Sequence, residues 1–134
     1  MGANWFRTGL GVACILTGTA TGCSKVFGDP VRDQWEDRAN LASCGEVTLK
    51  QGERLKQEGR SEFECLRAAF DSGSGAELKV QSPTKEGDQV TSYYRVTPAR
   101  TTEVYVDGTQ DEFSDQKWSF ADCKQPESVL DVNC

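Results

Sequence analysis

The chain has 134 residues, with 15 basic side chains against 21 acidic ones, a net charge of -6, six Cys and no His. That length suits one small domain, and the acidic balance is the wrong sign for neutralising nucleic-acid phosphates, so no nucleic-acid partner is expected. The lack of His excludes Ser-His-Asp and Cys-His catalysis and every His-containing zinc site.

Residues 1–22 read MGANWFRTGLGVACILTGTATG. A single charge, Arg7, precedes an uncharged stretch holding Leu10, Val12, Ala13, Cys14, Ile15 and Leu16. A basic residue followed by a short apolar run is the pattern of a secretory signal peptide. The run is too short, and too rich in Gly and Thr, to span a bilayer, which takes about 20 mainly apolar residues. The leading Met-Gly lacks the Ser or Thr at position 6 that myristoylation wants, since Phe6 stands there.

The run ends in Ala20-Thr21-Gly22-Cys23-Ser24. These residues resemble the lipobox of a bacterial lipoprotein precursor, in which small residues precede an obligatory Cys. The resemblance implies a diacylglyceryl thioether on Cys23 and cleavage between Gly22 and Cys23. The expected partner is therefore the cell membrane, met through the lipid on Cys23 from the extracytoplasmic side. One departure is Ala20, where the family more often has Leu. Each buried methylene contributes about 0.8 kcal/mol, so two or three acyl chains on one Cys hold firmly where one holds only reversibly.

Removing the first 22 residues leaves 112, with 14 basic and 21 acidic side chains and a net charge of -7. Cys14 leaves with the signal peptide and Cys23 carries the lipid. Cys44, Cys65, Cys123 and Cys134 remain, and export makes disulfides their default use. Four Cys allow three connectivities. Loop size alone favours Cys44–Cys65 with Cys123–Cys134.

Residues 23–43 are polar and read as a tether between membrane and domain. Asp29-Pro30 is the competing signal, for a short helix with Val31 and Trp35 on one face. The folded part is expected over 44–134. Val47 and Leu49 alternate with Glu46 and Thr48 as a short strand. Ser61 and Glu64 have the spacing of a capping box, ahead of a helix with Phe63, Leu66, Ala69 and Phe70 on one face and Cys65 at its margin. Gly73 ends that helix. Period-2 alternation then marks strands around Ala76–Val80, Val90–Val96 and Val104–Val106, and Trp118 and Phe120 begin a last one. Lys85-Glu86-Gly87-Asp88, Pro98-Ala99-Arg100 and Asp107-Gly108 supply the turns. The fold class is α+β, one main helix packed on a small antiparallel β-meander of four to five strands, stapled by disulfides. Beyond the lipobox, CGEV…ECL…EGD…YYRV…VYVD, over about residues 44–123, resembles small uncharacterised lipoproteins of Gram-positive, high-GC bacteria. That resemblance implies an exported, lipid-anchored domain and carries no activity.

No segment has a cofactor or metal signature. The acidic loop 107–115 offers oxygens of the kind Ca²⁺ uses, but not in the EF-hand order, and reads as a solvated turn. A pair of its carboxylates is the basis of the alternative reading, an envelope hydrolase; a structural spacer is a third. If Val90, Tyr94, Val104 and Val106 face the helix, then Tyr93, Arg95 and Tyr105 point away from it, joined by Glu77, Lys79 and Glu103. Tyr and Arg are frequent interface anchors. Tyr93, Arg95 and Tyr105 are therefore the candidate binding residues, for an envelope protein, a peptide or a glycan. The sequence favours a non-catalytic binding module.

Overall fold

The computed structural model describes residues 28–134, so Gly22, Cys23 and the signal-peptide reading lie outside it. The chain forms α1 (Pro30–Glu36), β1 (Ala42–Thr48), α2 (Leu55–Glu58), α3 (Arg60–Ser72), β2 (Ala76–Pro83), β3 (Gln89–Val96), β4 (Thr102–Asp107) and β5 (Trp118–Cys123). The five strands lie in sequence order in one sheet. β2 to β5 are the expected antiparallel meander. β1 instead pairs with β2 in parallel, so the sheet is mixed. The cause is the connection: α2 and α3 return the chain to the starting end before β2 begins, and parallel neighbours need a crossover of this kind.

The core lies between α3 and one face of the sheet. Ala76, Leu78 and Val80 of β2, Val96 of β3 and Val47 of β1 meet Leu66 and Ala69 of α3, with Phe63 and Phe70 half-buried beside them. Leu66 and Val96 are fully buried. The tail after β5 closes this layer. Val129 is buried in the same cluster, and the Cys123–Cys134 bridge pins the tail's end. The Asp131 carboxylate accepts from the backbone N–H groups of Glu127 and Ser128, and its carbonyl accepts from the buried Thr102 hydroxyl. Cys44–Cys65 and Cys123–Cys134 are both formed, with Cα separations of 5.7 and 5.1 Å.

The start of α3 departs from the capping-box pattern. Ser61 lies inside the helix, where its hydroxyl donates to Glu62 and caps nothing. The helical turn of α2 already leads into α3, with Gly59 at the joint and Phe63 N–H donating to Gly59 O at 2.9 Å. Gly73 ends α3 as expected, at φ 69°. Ser74 N–H reaches Ala69 O and Gly73 N–H reaches Phe70 O, the paired bonds of a Schellman motif.

Gly59 is glycine for want of space. A Cβ there would lie 2.6 Å from Val47 Cγ2 and 2.9 Å from Leu55 Cδ1, while its φ of -110° suits any residue. Overpacking costs about 1–3 kcal/mol, and the better helix propensity of Ala returns less than about 1 kcal/mol. Gly59→Ala should therefore lower the urea midpoint by roughly 1–2 kcal/mol equivalent with the m-value unchanged. An unchanged midpoint would mean that Val47 and Leu55 simply move aside.

Residues 28–43, expected as tether, are structured. Asp29 caps α1, accepting from Val31 N–H and Arg32 N–H, and Pro30 takes the first helical position. α1 lies on the sheet face opposite α3, which makes the domain three layers deep. The short-helix signal at Asp29-Pro30 is the one the chain follows. Its stabilising contacts come from strands 58 to 89 residues further on.

Candidate functional site

The antiparallel register builds the α1-facing side of the sheet as rungs of directly opposed residues. One rung runs Glu77, Arg95, Glu103, Asp122. The next runs Lys79, Tyr93, Tyr105, Phe120, and the third runs Gln81, Thr91, Asp107, Trp118. Tyr93, Arg95 and Tyr105 thus do share a face away from α3, together with Glu77, Lys79 and Glu103. The face is not an open platform, however. Arg95 is 5% exposed and Tyr105 3% exposed, because α1 covers them.

Trp35 is the covering side chain. Its ring lies 4.1 Å from that of Tyr93, 5.2 Å from Tyr105 and 6.2 Å from Trp118. Tyr93 and Trp118 stack at 5.9 Å and 5°, and Tyr105 meets Phe120 at 4.7 Å. Such tilted and offset aromatic pairs are favoured beyond simple area burial. Arg38, just past α1, lays its guanidinium 3.1 Å from the Trp35 ring centre. The same group forks onto Glu77, with Nη2 to Oε1 at 3.0 Å and Nε to Oε2 at 3.3 Å, and donates from Nη1 to Trp35 O at 2.9 Å.

Arg95 continues the charged ladder. Its Nη1 donates to Glu103 at 2.7 Å and its Nη2 to Ala39 O at 2.6 Å. Its Nε lies 3.4 Å from Glu77 Oε2 but is not aligned as a hydrogen bond, and it has no other partner. Arg38, Glu77, Arg95 and Glu103 thus form an alternating chain that fastens the α1 segment to the sheet. Lys79 and Glu46 add an ion pair of 3.1 Å at its flank. Burial pushes the Tyr105 phenol upward, helped by the Glu103 charge and opposed by Arg95 and Gln34. Burial also raises Tyr93, against the pull of Lys79. Both phenols therefore remain neutral hydrogen-bonding groups at physiological pH.

Two concavities border this ladder. The larger, about 450 Å³, opens between the end of α1 and strands β3 and β4, and is lined by Gln34, Arg38, Leu41, Arg95, Thr97 and Tyr105. The smaller, about 340 Å³, lies across Arg38 and is lined by Trp35, Glu46, Glu77, Lys79 and Tyr93. In the larger one the Arg charges are matched by Glu77 and Glu103. What remains for a ligand is the exposed Asp37 carboxylate at the rim, an amide, hydroxyl groups and the apolar surfaces of Leu41 and Pro98. This lining matches a polar ligand with apolar patches and no negative charge to set against Asp37, such as a neutral glycan or an extended peptide.

The acidic loop 107–115 uses its carboxylates to shape itself. Asp107 accepts from Thr109 N–H and Oγ1, and Asp111 accepts from Phe113 N–H. Among the described residues, no three His, Cys, Asp or Glu side chains converge as a metal ligand set, and no helix is long and apolar enough to cross a membrane. Sequence reasoning missed Trp35 and Arg38 as members of the site, although Asp29-Pro30 signalled the helix that carries Trp35. Comparison with protein-family models, curated proteins and solved structures finds no match to this chain.

Proposed function

We propose that the protein is a lipid-anchored, extracytoplasmic domain that acts by binding, without catalysis, at the cell envelope. The anchor reading is supported by the lipobox-like Ala20-Thr21-Gly22-Cys23 and by a mature chain whose four Cys suit an oxidising compartment. The observation that carries the binding reading is the cleft beside Tyr105 and Arg95, whose arginines are already paired and whose rim carries Asp37 and Gln34. It displaces the open Tyr93–Arg95–Tyr105 platform as the binding surface, because α1 occupies that platform. The ligand class is a peptide or glycan segment of an envelope partner, held by Gln34, Thr97 and the exposed edge of the ladder. Of the two carboxylates that line the cleft, Glu103 is held by Arg95, which leaves Asp37 without a free second acid beside it and weakens the case for the hydrolase alternative.

Site-specific photocrosslinking in intact cells tests the binding reading. A photoreactive residue at Gln34 should give a discrete adduct, and one at Gln51, at the other end of the sheet, should not. Equal yields from both positions, or none from Gln34, would remove the cleft from consideration. Cys23→Ser tests the anchor independently. It should release the protein from membranes or stall its processing, and a variant that fractionates and migrates like wild type would overturn the lipoprotein reading.

A further inference from the structure

The strand directions sort the loops of the molecule between two ends. β1, β2 and β4 finish, and β3 and β5 begin, at the same end. That end carries the loops 50–54, 84–88 and 108–117. They are tied to one another: Gln51 Nε2 donates to Lys85 O at 2.9 Å, and Glu112 N–H donates to Asp88 Oδ2 at 3.0 Å. The chain also joins the fold at this end. Asp29 Oδ2 accepts from Trp118 N–H at 2.8 Å, and residues 28–32 line a hollow with Thr109, Gln116, Lys117 and Trp118. The hydrogen bond from Trp118, more than any other contact, holds the Asp29 carboxyl below its ordinary range, so this junction stays ionised and made at neutral pH.

Five residue steps separate Cys23 from Gly28, and an extended chain covers at most about 17 Å in that distance. By contrast, β3, with eight residues, spans about 26 Å. A lipid on Cys23 therefore keeps the three-loop end closer to the bilayer than the opposite end. Phe113, at the tip of the longest of these loops, is 76% exposed and is the one exposed large apolar side chain among the described residues. The three loops hold four basic and six acidic side chains, so the end is mildly acidic. Asp111, Glu112 and Asp115 lie within two residues of Phe113 along the chain.

From this placement we infer that the three-loop end faces the bilayer, with Phe113 set into its headgroup region and the flanking carboxylates limiting the depth, so that the cleft beside Tyr105 opens away from the membrane. The occupant of the exposed Phe113 surface is the lipid layer to which the chain is attached. This inference rests on the lipid-anchor reading of Cys23. An amphipathic element of this kind settles at the boundary of headgroups and acyl chains. Neighbouring carboxylates oppose anionic lipid, so contact is strongest with zwitterionic headgroups.

Quenching by brominated lipid tests this with the lipidated protein in vesicles. Phe113→Trp should lose more of its added emission to brominated phosphatidylcholine than Ala99→Trp, whose position lies in the β3–β4 turn at the opposite end. Equal losses would overturn the orientation. Adding phosphatidylglycerol should shrink the difference between the two variants, and a difference that does not shrink would overturn the role given to the acidic flanks. Both outcomes leave the anchor reading standing, because that reading fails only if Cys23→Ser stays attached and migrates like wild type.

Discussion

Replacing Arg95 with Met should destabilise the domain by about 2–3 kcal/mol. Removing one member of a buried ion pair costs about 3–5 kcal/mol, because its partner is left charged and poorly solvated. Here Glu77 and Glu103 retain about a fifth of their side-chain exposure, so the upper part of that range is discounted. Ala39 O also loses its donor. At about 4–8 °C per kcal/mol for a domain of this size, the thermal midpoint falls by roughly 10–20 °C. Arg95→Met combined with Glu103→Gln should recover about 1 kcal/mol, because the stranded charge is gone. Thermal and urea unfolding of the three proteins check both values. A single variant within about 0.5 kcal/mol of wild type would show that Arg95 lies on the face without holding it together, as ordinary surface substitutions do.

The ladder also explains which parts of the fold could be read from sequence. The alternation of Ala76, Leu78 and Val80, and of Tyr94 and Val96, is a local signal: it depends on neighbours two residues away, and the structure puts those side chains toward α3 as expected. Cys pairing followed from loop size because short loops are the easier ones to close, and both bridges are found. The helix face of Leu66 and Ala69 was legible for the same local reason.

The layer opposite α3 was not legible in the same way. Trp35 is one aromatic in a charged stretch, and nothing within a helical turn of it indicates a sheet. Its partners, Tyr93, Tyr105 and Trp118, are 58, 70 and 83 residues later, and they come together only through the register of β3, β4 and β5. Arg38 similarly finds Glu77 across 39 residues. A polar segment with a tryptophan reads as a linker until the rung it rests on is known. The Tyr93–Arg95–Tyr105 face was correctly grouped, but sequence alternation reports which side a residue occupies and not what covers that side. The capping box failed for a related reason. Ser61-Glu62-Phe63-Glu64 has the right spacing, yet the preceding turn at Leu55–Glu58 is helical, so the chain is already inside a helix before Ser61 arrives.

Breaking the Cys44–Cys65 bridge should cost about 3 kcal/mol and loosen the sheet from its β1 edge. The bridge closes a loop of 21 residues, and the loss of loop-closure freedom in the unfolded chain accounts for that magnitude. Its position makes the consequence local as well as global. Cys44 sits where the β1–β2 register shifts, beside Gly45 at φ 105°, so the ladder there is interrupted and β1 is held partly by its link to α3. Val47 near the end of β1 and Leu49 just past it are buried, and both depend on the strand staying in register. Cys44→Ser with Cys65→Ser should therefore lower the urea midpoint and raise amide exchange first in β1 and α2, with β3 and β4 retaining protection. Reductant applied to the wild-type protein should reproduce the loss, because the bridge is a covalent constraint and not a packing contact. If reductant lowers the midpoint no further than it does in the double variant, the whole redox sensitivity belongs to Cys123–Cys134, which pins only the tail. If exchange rises uniformly across all strands, β1 folds as one unit with the rest, and α3 holds the edge without the bridge.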